Sequence, residues 1–494
     1  MMGAVERTSR ASPRPVLTRR RFITAAGALG VSGLLVACGG SPSAPSGGNA
    51  PTAAATGGAP TPTPAGASQP APNATAAPAG GGQIALNWFL PLSAAPEIAI
   101  WTQFVDRFQK ANPNITIKGS YESWNNYWTK LQTVMAGGAI PDVIWLHYTR
   151  VAEWASKDVM RPLDANLQSD KIEPKQYVFN DAMVYKGHMY AIPKDNGVNA
   201  LWFNKDWFAK ANVPLPTFTY KWDDWLTAMK ALTVDKSGKT ADQAGFDPAN
   251  VAKWGTVQPQ ATSPRGEGFY IWFTSMGGKL YNEDQTQSLI DQPESIEALQ
   301  FIADLVVKHH VAPPPGAISQ PGDPFLNGLV ATTWAHHAEE FFWHEQKAAF
   351  KIDEVYYPQG NGGLVLSGGT TGFAIPKQSK YPDQAWVLTK FMTGEDQQRI
   401  IIKQHRWAAG LRALVPEQYD PSYNTPNYVP CHVDPLTGKG PQAVAAPSPP
   451  ALAQIEQVWA SALDPVWLGK AQAKDVVPDL KKQIDQLLQQ KTQI

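Results

Sequence analysis

Residues Tyr185–Pro216 read YKGHMYAIPKDNGVNALWFNKDWFAKANVPLP. A polar hairpin, Lys186-Gly187-His188, leads into an apolar strand broken at Pro193. The loop Lys194–Gly197 follows, and a second extended run, Val198–Phe203, gives way to a short helix over Lys205–Asn212. Asp, Asn and Gly are residues whose backbones accept turn conformations. Two strands with such a joint between them fit a crossing from one domain to another. They also fit a loop within one sheet, and the flanking sequence must decide.

Upstream, Ile84, Leu86 and Trp88 alternate as in a strand, and Trp101, Phe104, Val105 and Phe108 follow at helical spacing. Asn112-Pro113-Asn114 stops that helix, and Ile115 and Ile117 open a second strand. A helix over Trp124–Ala136 closes on Gly137-Gly138, Pro141–Leu146 reads as a fully buried strand, and Val151–Lys157 as a helix. This β-α-β-α-β-α order predicts an α/β fold with a parallel sheet and right-handed crossovers. Ligands of open α/β sheets bind outside the carboxyl ends of the strands. Those ends carry Trp88, Glu122 with Trp124, and His147, Tyr148 and Arg150, a set that fits a ligand cleft.

Downstream, the middle of the chain, Trp222–Tyr357, reads as mostly helical. Leu364–Pro376 (LVLSGGTTGFAIP) is strand, Gly-rich bend and strand, a plausible second crossing. Tyr381–Gln404 supplies two helices, Pro416–Pro450 reads as a long irregular surface excursion, and Val476–Gln489 as a closing amphipathic helix.

Length and composition narrow the function. The 494 residues hold two domains or one large one. Lys+Arg and Asp+Glu are 42 each, so neither nucleic acid nor an acidic membrane is indicated as the main partner. The 18 Trp and 15 Tyr suit a protein that lays flat rings against ligands, and suit a core equally. With only Cys38 and Cys431, neither a disulfide framework nor a four-cysteine zinc site can be built.

At the N-terminus, Thr18-Arg19-Arg20-Arg21-Phe22-Ile23 matches a twin-arginine export signal, followed by a Gly/Ala-rich apolar run too short to favour a spanning helix. Leu35-Val36-Ala37-Cys38-Gly39 resembles a lipobox, in which Cys38 is lipidated. Residues 38–82, Gly/Ala/Pro/Thr-rich and without an aliphatic run, read as a disordered tether. The expectation is an exported chain held by acyl groups at the outer face of the cytoplasmic membrane.

From Gln83 onward the chain resembles family 1 extracellular solute-binding proteins, the substrate-capturing subunits of ABC importers for sugars and related solutes. The resemblance is carried, in order, by Ala136-Gly137-Gly138, Pro141-Asp142-Val143, Tyr190–Pro193 before Phe203–Asp206, Gly277–Leu280, Glu297–Gln300, and Gly372–Pro376 before Ala385-Trp386. It implies a two-lobed, type II periplasmic-binding-protein fold, with the ligand between lobes joined by hinge strands near Asp195–Ala200, Ser367–Thr370 and Trp407–Leu411. The implied parts are a signal peptide (1–37), a lipidated tether (38–82), lobe one (83–196 and 370–408) and lobe two (197–369 and 409–494). It further implies a small-molecule solute, a sugar or oligosaccharide, and ABC permease transmembrane subunits as partners. The chain is expected to act as a monomer, with no cofactor, metal or catalytic residue.

Carried over residue by residue, the resemblance places Glu122, Trp124, His147, Tyr148, Asn196, Trp272, Trp334, His336, Gly369, Thr370 and Trp407 at the ligand, and the strand ends add Trp88. Trp rings would cover the apolar faces of a sugar, while Glu, Asn and His pair with its hydroxyl rim. The alternatives are a secreted carbohydrate-active hydrolase, and the same binding role for a glycerol phosphodiester or peptide, with Arg150 and Arg412 as phosphate partners. His336, Glu340 and His344 stand at i, i+4, i+8, which on a helix would put them on one face, as a metal could use.

Overall fold

The computed structural model describes residues 82–257, 263–264 and 267–490, all within one compact unit, Ala79–Ile494. The expected export signal, Cys38 and all of the tether except Gly82 lie outside the described residues.

The chain opens with three parallel strands, β1 (Ile84–Leu90), β2 (Ile115–Tyr121) and β3 (Val143–His147). The helix between β1 and β2, Ala95–Ala111, has Pro96 in its first turn and buries Trp101, Phe104, Val105 and Phe108. That i, i+3, i+4, i+7 stripe is what seats it against the sheet. Each of its aromatic rings contributes about 1.5–3 kcal/mol by leaving water. A small hairpin of β4 (Val184–Tyr185) and β5 (His188–Met189) turns at Lys186 and Gly187, both at positive φ (49° and 83°). The primed turn this makes matches strand twist and needs a glycine or a tolerant residue.

β6 (Ala191–Pro193) belongs to the first sheet, but β7 (Gly197–Asn204) belongs to a second. The second sheet continues with β8 (Val234–Asp235), β9 (Val251–Thr256), β10 (Val330–His336), β11 (Ile352–Val355) and β12 (Leu366–Gly369). One residue later, β13 (Thr371–Ala374) is back in the first sheet, antiparallel to both β3 and β6. The first sheet is thus ordered β2-β1-β3-β13-β6. In the second, β7 is flanked by antiparallel β10 on one side and by β12 and β11 on the other, with β14 (Ala443–Ala445) beyond β12. The Tyr185–Pro216 stretch is therefore a crossing between sheets, and LVLSGGTTGFAIP is the second one. The architecture is mixed α/β, two sheets with helices packed on each, as the resemblance implied.

Each sheet has its own apolar core. One gathers Trp88, Trp101, Phe104, Trp145 and Phe373, the other Trp222, Trp225, Trp272, Phe273 and Trp459.

Three expectations are corrected. The middle of the chain contributes four strands, β8 to β11, rather than helices alone. β10 lies between β7 and β9 and reads VATTWAH with its first three residues all buried, so it lacks the two-residue alternation of a half-exposed strand. Residues 416–450 are no surface excursion, because Cys431, His432, Val433 and Leu436 are buried. Finally, a helix over Leu452–Trp467, unforeseen although Leu452, Ile455, Trp459 and Leu463 recur at helical spacing, packs with Ala473–Gln489 against the second core.

Candidate functional site

The two crossings run side by side. Gly372 pairs with Pro193 on the first-sheet side, and Gly369 pairs with Gly197 on the second. Between these pairs, Thr370 donates its hydroxyl to the Asp195 carbonyl at 2.8 Å. The backbone N–H and hydroxyl of Thr371 donate to the Asp195 carboxylate at 2.7 and 2.8 Å. Lys194 pairs with the same carboxylate. A third segment, 407–411, runs beside them: Asn196 donates its amide to the Ala409 carbonyl at 2.7 Å. Gly410 lies so close that a Cβ there would come within 2.7 Å of the Pro193 carbonyl.

Above these crossings, a cavity of about 830 Å³ opens between the two sheets. Its first wall is the carboxyl ends of β1 and β3, with Pro91, Leu92, Ser93, Trp145 and His147, joined by Trp124. Its second wall is the end of β10, Thr333 to His336, and the helix Ala338–Glu345 after it. Trp124 is 45% exposed and meets His147 edge-on at 5.6 Å. This is where an open parallel sheet presents ligand-binding loops, and the volume is that of a small-molecule site.

Of the residues expected at the ligand, Trp124, His147, Asn196, Trp334, His336, Gly369, Thr370 and Trp407 line this cavity together. Four do not. Trp88 sits within β1 rather than past its end, facing Trp101 and Phe373 in the core. Trp272 is fully buried between Trp222 and Trp225. Glu122 is drawn into an ion pair with Lys130 along the next helix. Tyr148 is tucked against Gly369, where a Cβ would collide with its ring at 2.1 Å.

Two other proposals for these residues are also displaced. Arg150 pairs with Glu153 and Glu456, and Arg412 donates to the carbonyls of Lys175, Tyr177 and Leu436, so both guanidinium groups are engaged within the protein. His336 ends a strand while Glu340 and His344 ride the next helix, so the three share no helix face. Glu340 turns inward to Asn424 and Thr425.

The cavity also holds charged groups that sequence reasoning missed. Arg406, 4% exposed, pairs with Glu97 and lies on the faces of Phe342 (4.2 Å) and Trp407 (4.9 Å). Burial pulls its guanidinium down to about 10. Glu339 is held above the usual carboxylate range by burial, with Asp323 adding to the effect and His336 opposing it. Beneath the cavity floor, Lys194 is 1% exposed, with its ammonium 3.6 Å from the Trp145 ring centre and 5.1 Å from that of Trp407. Burial lowers it to about 8, against the pull of Asp195. Arg406-Trp407 and Lys194-Asp195 each place a cation beside a cleft residue, a legible pattern only once the crossings are located.

The family profile described as bacterial extracellular solute-binding protein matches residues 94–399, well over half of the chain. The chain belongs to the bacterial extracellular solute-binding protein family. It is similar to a binding protein of Brucella abortus (strain 2308), 22% identical over 392 residues that cover 77% of this chain and 88% of the relative. It is similar also to the arabinooligosaccharide-binding protein of Halalkalibacterium halodurans, 26% identical over 241 residues, 45% of this chain and 48% of that one. An ABC substrate-binding protein from Listeria monocytogenes, solved in complex with cycloalternan, superposes with a TM-score of 0.69 at 25% identity, covering 82% of this chain and 98% of that one. The family is one of binding proteins rather than enzymes. No helix of this solute-binding protein is long and apolar enough to cross a membrane among the described residues.

Proposed function

We propose that this solute-binding protein is the extracellular capture subunit of an ABC importer, closing its two sheets about a sugar or oligosaccharide and delivering it to the membrane permease. The observation that carries this reading is the cavity itself: indoles and carboxylates from two sheets face one another across three adjacent connecting segments. Indole faces suit the C–H faces of a pyranose, and carboxylate, imidazole and amide groups suit its hydroxyls. The binding of arabinooligosaccharide and cycloalternan by the relatives above supports the saccharide class. Lobe boundaries near 196, 369 and 408 are part of the same proposal, with bending at the crossings. So are a twin-arginine export signal in 1–37, a lipid anchor on Cys38, a tether to 82, and a monomeric capture unit.

The test is a thermal-shift screen of the chain from Gln83 onward against neutral oligosaccharides, monosaccharides and glycerol phosphodiesters. A ligand at 100 times its Kd stabilises the folded state by about 2.7 kcal/mol. The expected outcome is a shift with at least one saccharide and no consumption of it. A shift with phosphodiesters alone would overturn the ligand class, and turnover of the sugar would restore the hydrolase reading.

A further inference from the structure

Among the described residues lining the cleft, four carry carboxylates (Glu97, Asp195, Asp323, Glu339) and one a guanidinium (Arg406). The first two are compensated, Glu97 by Arg406 and Asp195 by Lys194. Asp323 and Glu339 form no ion pair with a Lys or Arg among the described residues, and the one cation-forming group acting on Glu339 is the His336 imidazole. Both lie on the second-sheet wall, close enough for Asp323 to oppose ionisation of Glu339. Asp323 is held in place, accepting from the Trp343 indole N–H at 2.7 Å and the Phe325 backbone N–H at 2.8 Å. Trp334, half-buried on the adjoining strand, gives the same wall an aromatic ring. On the cavity floor Asn196 is 5% exposed, and its Oδ1 has no hydrogen-bond partner although its amide nitrogen is engaged. An acceptor left open on the floor, and two carboxylates and an indole on the wall, all call for a donor, and the wall calls for a positive one.

We propose that the cleft selects a saccharide bearing a protonated amine, with the ammonium group seated at Asp323 and Glu339. This rests on the saccharide-binding reading above and narrows it. An ammonium supplies the missing counter-charge to two carboxylates of one sign, whereas an anionic sugar would add repulsion to them. Arg406 does not reverse this preference: its charge is balanced by Glu97 at Nη2, and its Nε and Nη1, which have no hydrogen-bond partner, are buried against Phe341, Phe342 and Trp407 and can be met by neutral hydroxyl oxygens.

The experiment is calorimetric titration of the chain from Gln83 onward with four matched trisaccharides: chitotriose (cationic), triacetylchitotriose and cellotriose (neutral), and trigalacturonate (anionic). The expected result is that chitotriose binds at least about tenfold more tightly than the neutral trisaccharides, with trigalacturonate weakest. Raising the salt concentration about tenfold should narrow the gap between chitotriose and the neutral sugars, as screening requires. In Glu339→Gln the ratio of neutral to cationic dissociation constants should fall toward one. Should that variant fail to fold, the salt dependence of the wild-type ratio decides. Neutral sugars binding as tightly as chitotriose, or a preference for trigalacturonate, overturns the inference and leaves saccharide capture standing. If no saccharide binds at all, the reading beneath it falls, and the inference with it.

Discussion

Lys194 has unusual surroundings for a lysine: it is fully enclosed, its ammonium lies against Trp145, and Asp195 is its counter-ion. Its folded pKa of about 8 lies below the ordinary 10.5. Between those values the unfolded chain holds a proton that the folded chain has released, so this residue makes stability rise with pH across that window. In Lys194→Met, chemical denaturation between about pH 8 and the ordinary lysine range should lack that rise; an unchanged slope would exonerate Lys194. Tryptophans make a second contrast at this scale. Trp124→Ala should weaken saccharide binding by about tenfold or more with little change in Tm, since Trp124 is half in solvent. Trp272→Ala should cost about 3–5 kcal/mol of stability, as large core truncations do. Calorimetry and denaturation on the two variants check this, and a stable Trp272→Ala chain that fails to bind would reverse the assignment. Sequence alone could not separate these two rings. Trp272 lies in an apolar run and Trp124 in a polar one, Glu122-Ser123-Trp124-Asn125-Asn126, yet whether an indole faces core or cleft depends on where the strand or helix ends in space.

At the scale of elements, the crossings carry the tightest constraints. A Cβ on Gly368 would lie 2.1 Å from the Gly197 carbonyl, a backbone neighbour that cannot swing aside. Gly368→Ala should therefore destabilise the protein by about 1–3 kcal/mol through overpacking, read as a lower Tm. A wild-type Tm would show that the strands part there without cost. The first two strands and the helices between them were legible because each repeats its apolar positions at its own period, and the third because a short unbroken apolar run, Val143–Leu146, stands between Pro-Asp and a helix. Both crossings were legible from Asp-Asn-Gly and Gly-Gly-Thr-Thr. β10 was not, since a strand covered on both faces loses its period, and neither was the cation pair at Arg406, whose partner Glu97 is more than 300 positions away.

For the whole molecule, two sheets with separate cores, joined by three crossing segments and a smaller apolar cluster beside them (Val178, Val198, Leu366, Ala409), predict a rotation of one sheet assembly against the other. Small-angle scattering should show a lower radius of gyration once a bound saccharide is present, and an identical profile with and without ligand would count against closure. A cation on each side of the joint, Lys194 below and Arg406 beside it, stacks on Trp407. Trp407→Ala should therefore impair both folding stability and affinity, whereas Trp124→Ala affects affinity alone.

The return of β13 to the first sheet has a consequence for biosynthesis. β3 and β6 are made early, yet the strand that lies between them starts only at residue 371. At about 5–20 residues per second, the ribosome delivers it on the order of 10–40 s after β3. Throughout that interval the oldest part of the polypeptide carries open strand edges that its own later residues must fill. A nascent chain halted before residue 366 should be cut readily by protease within 84–193, and one extended past 374 should resist.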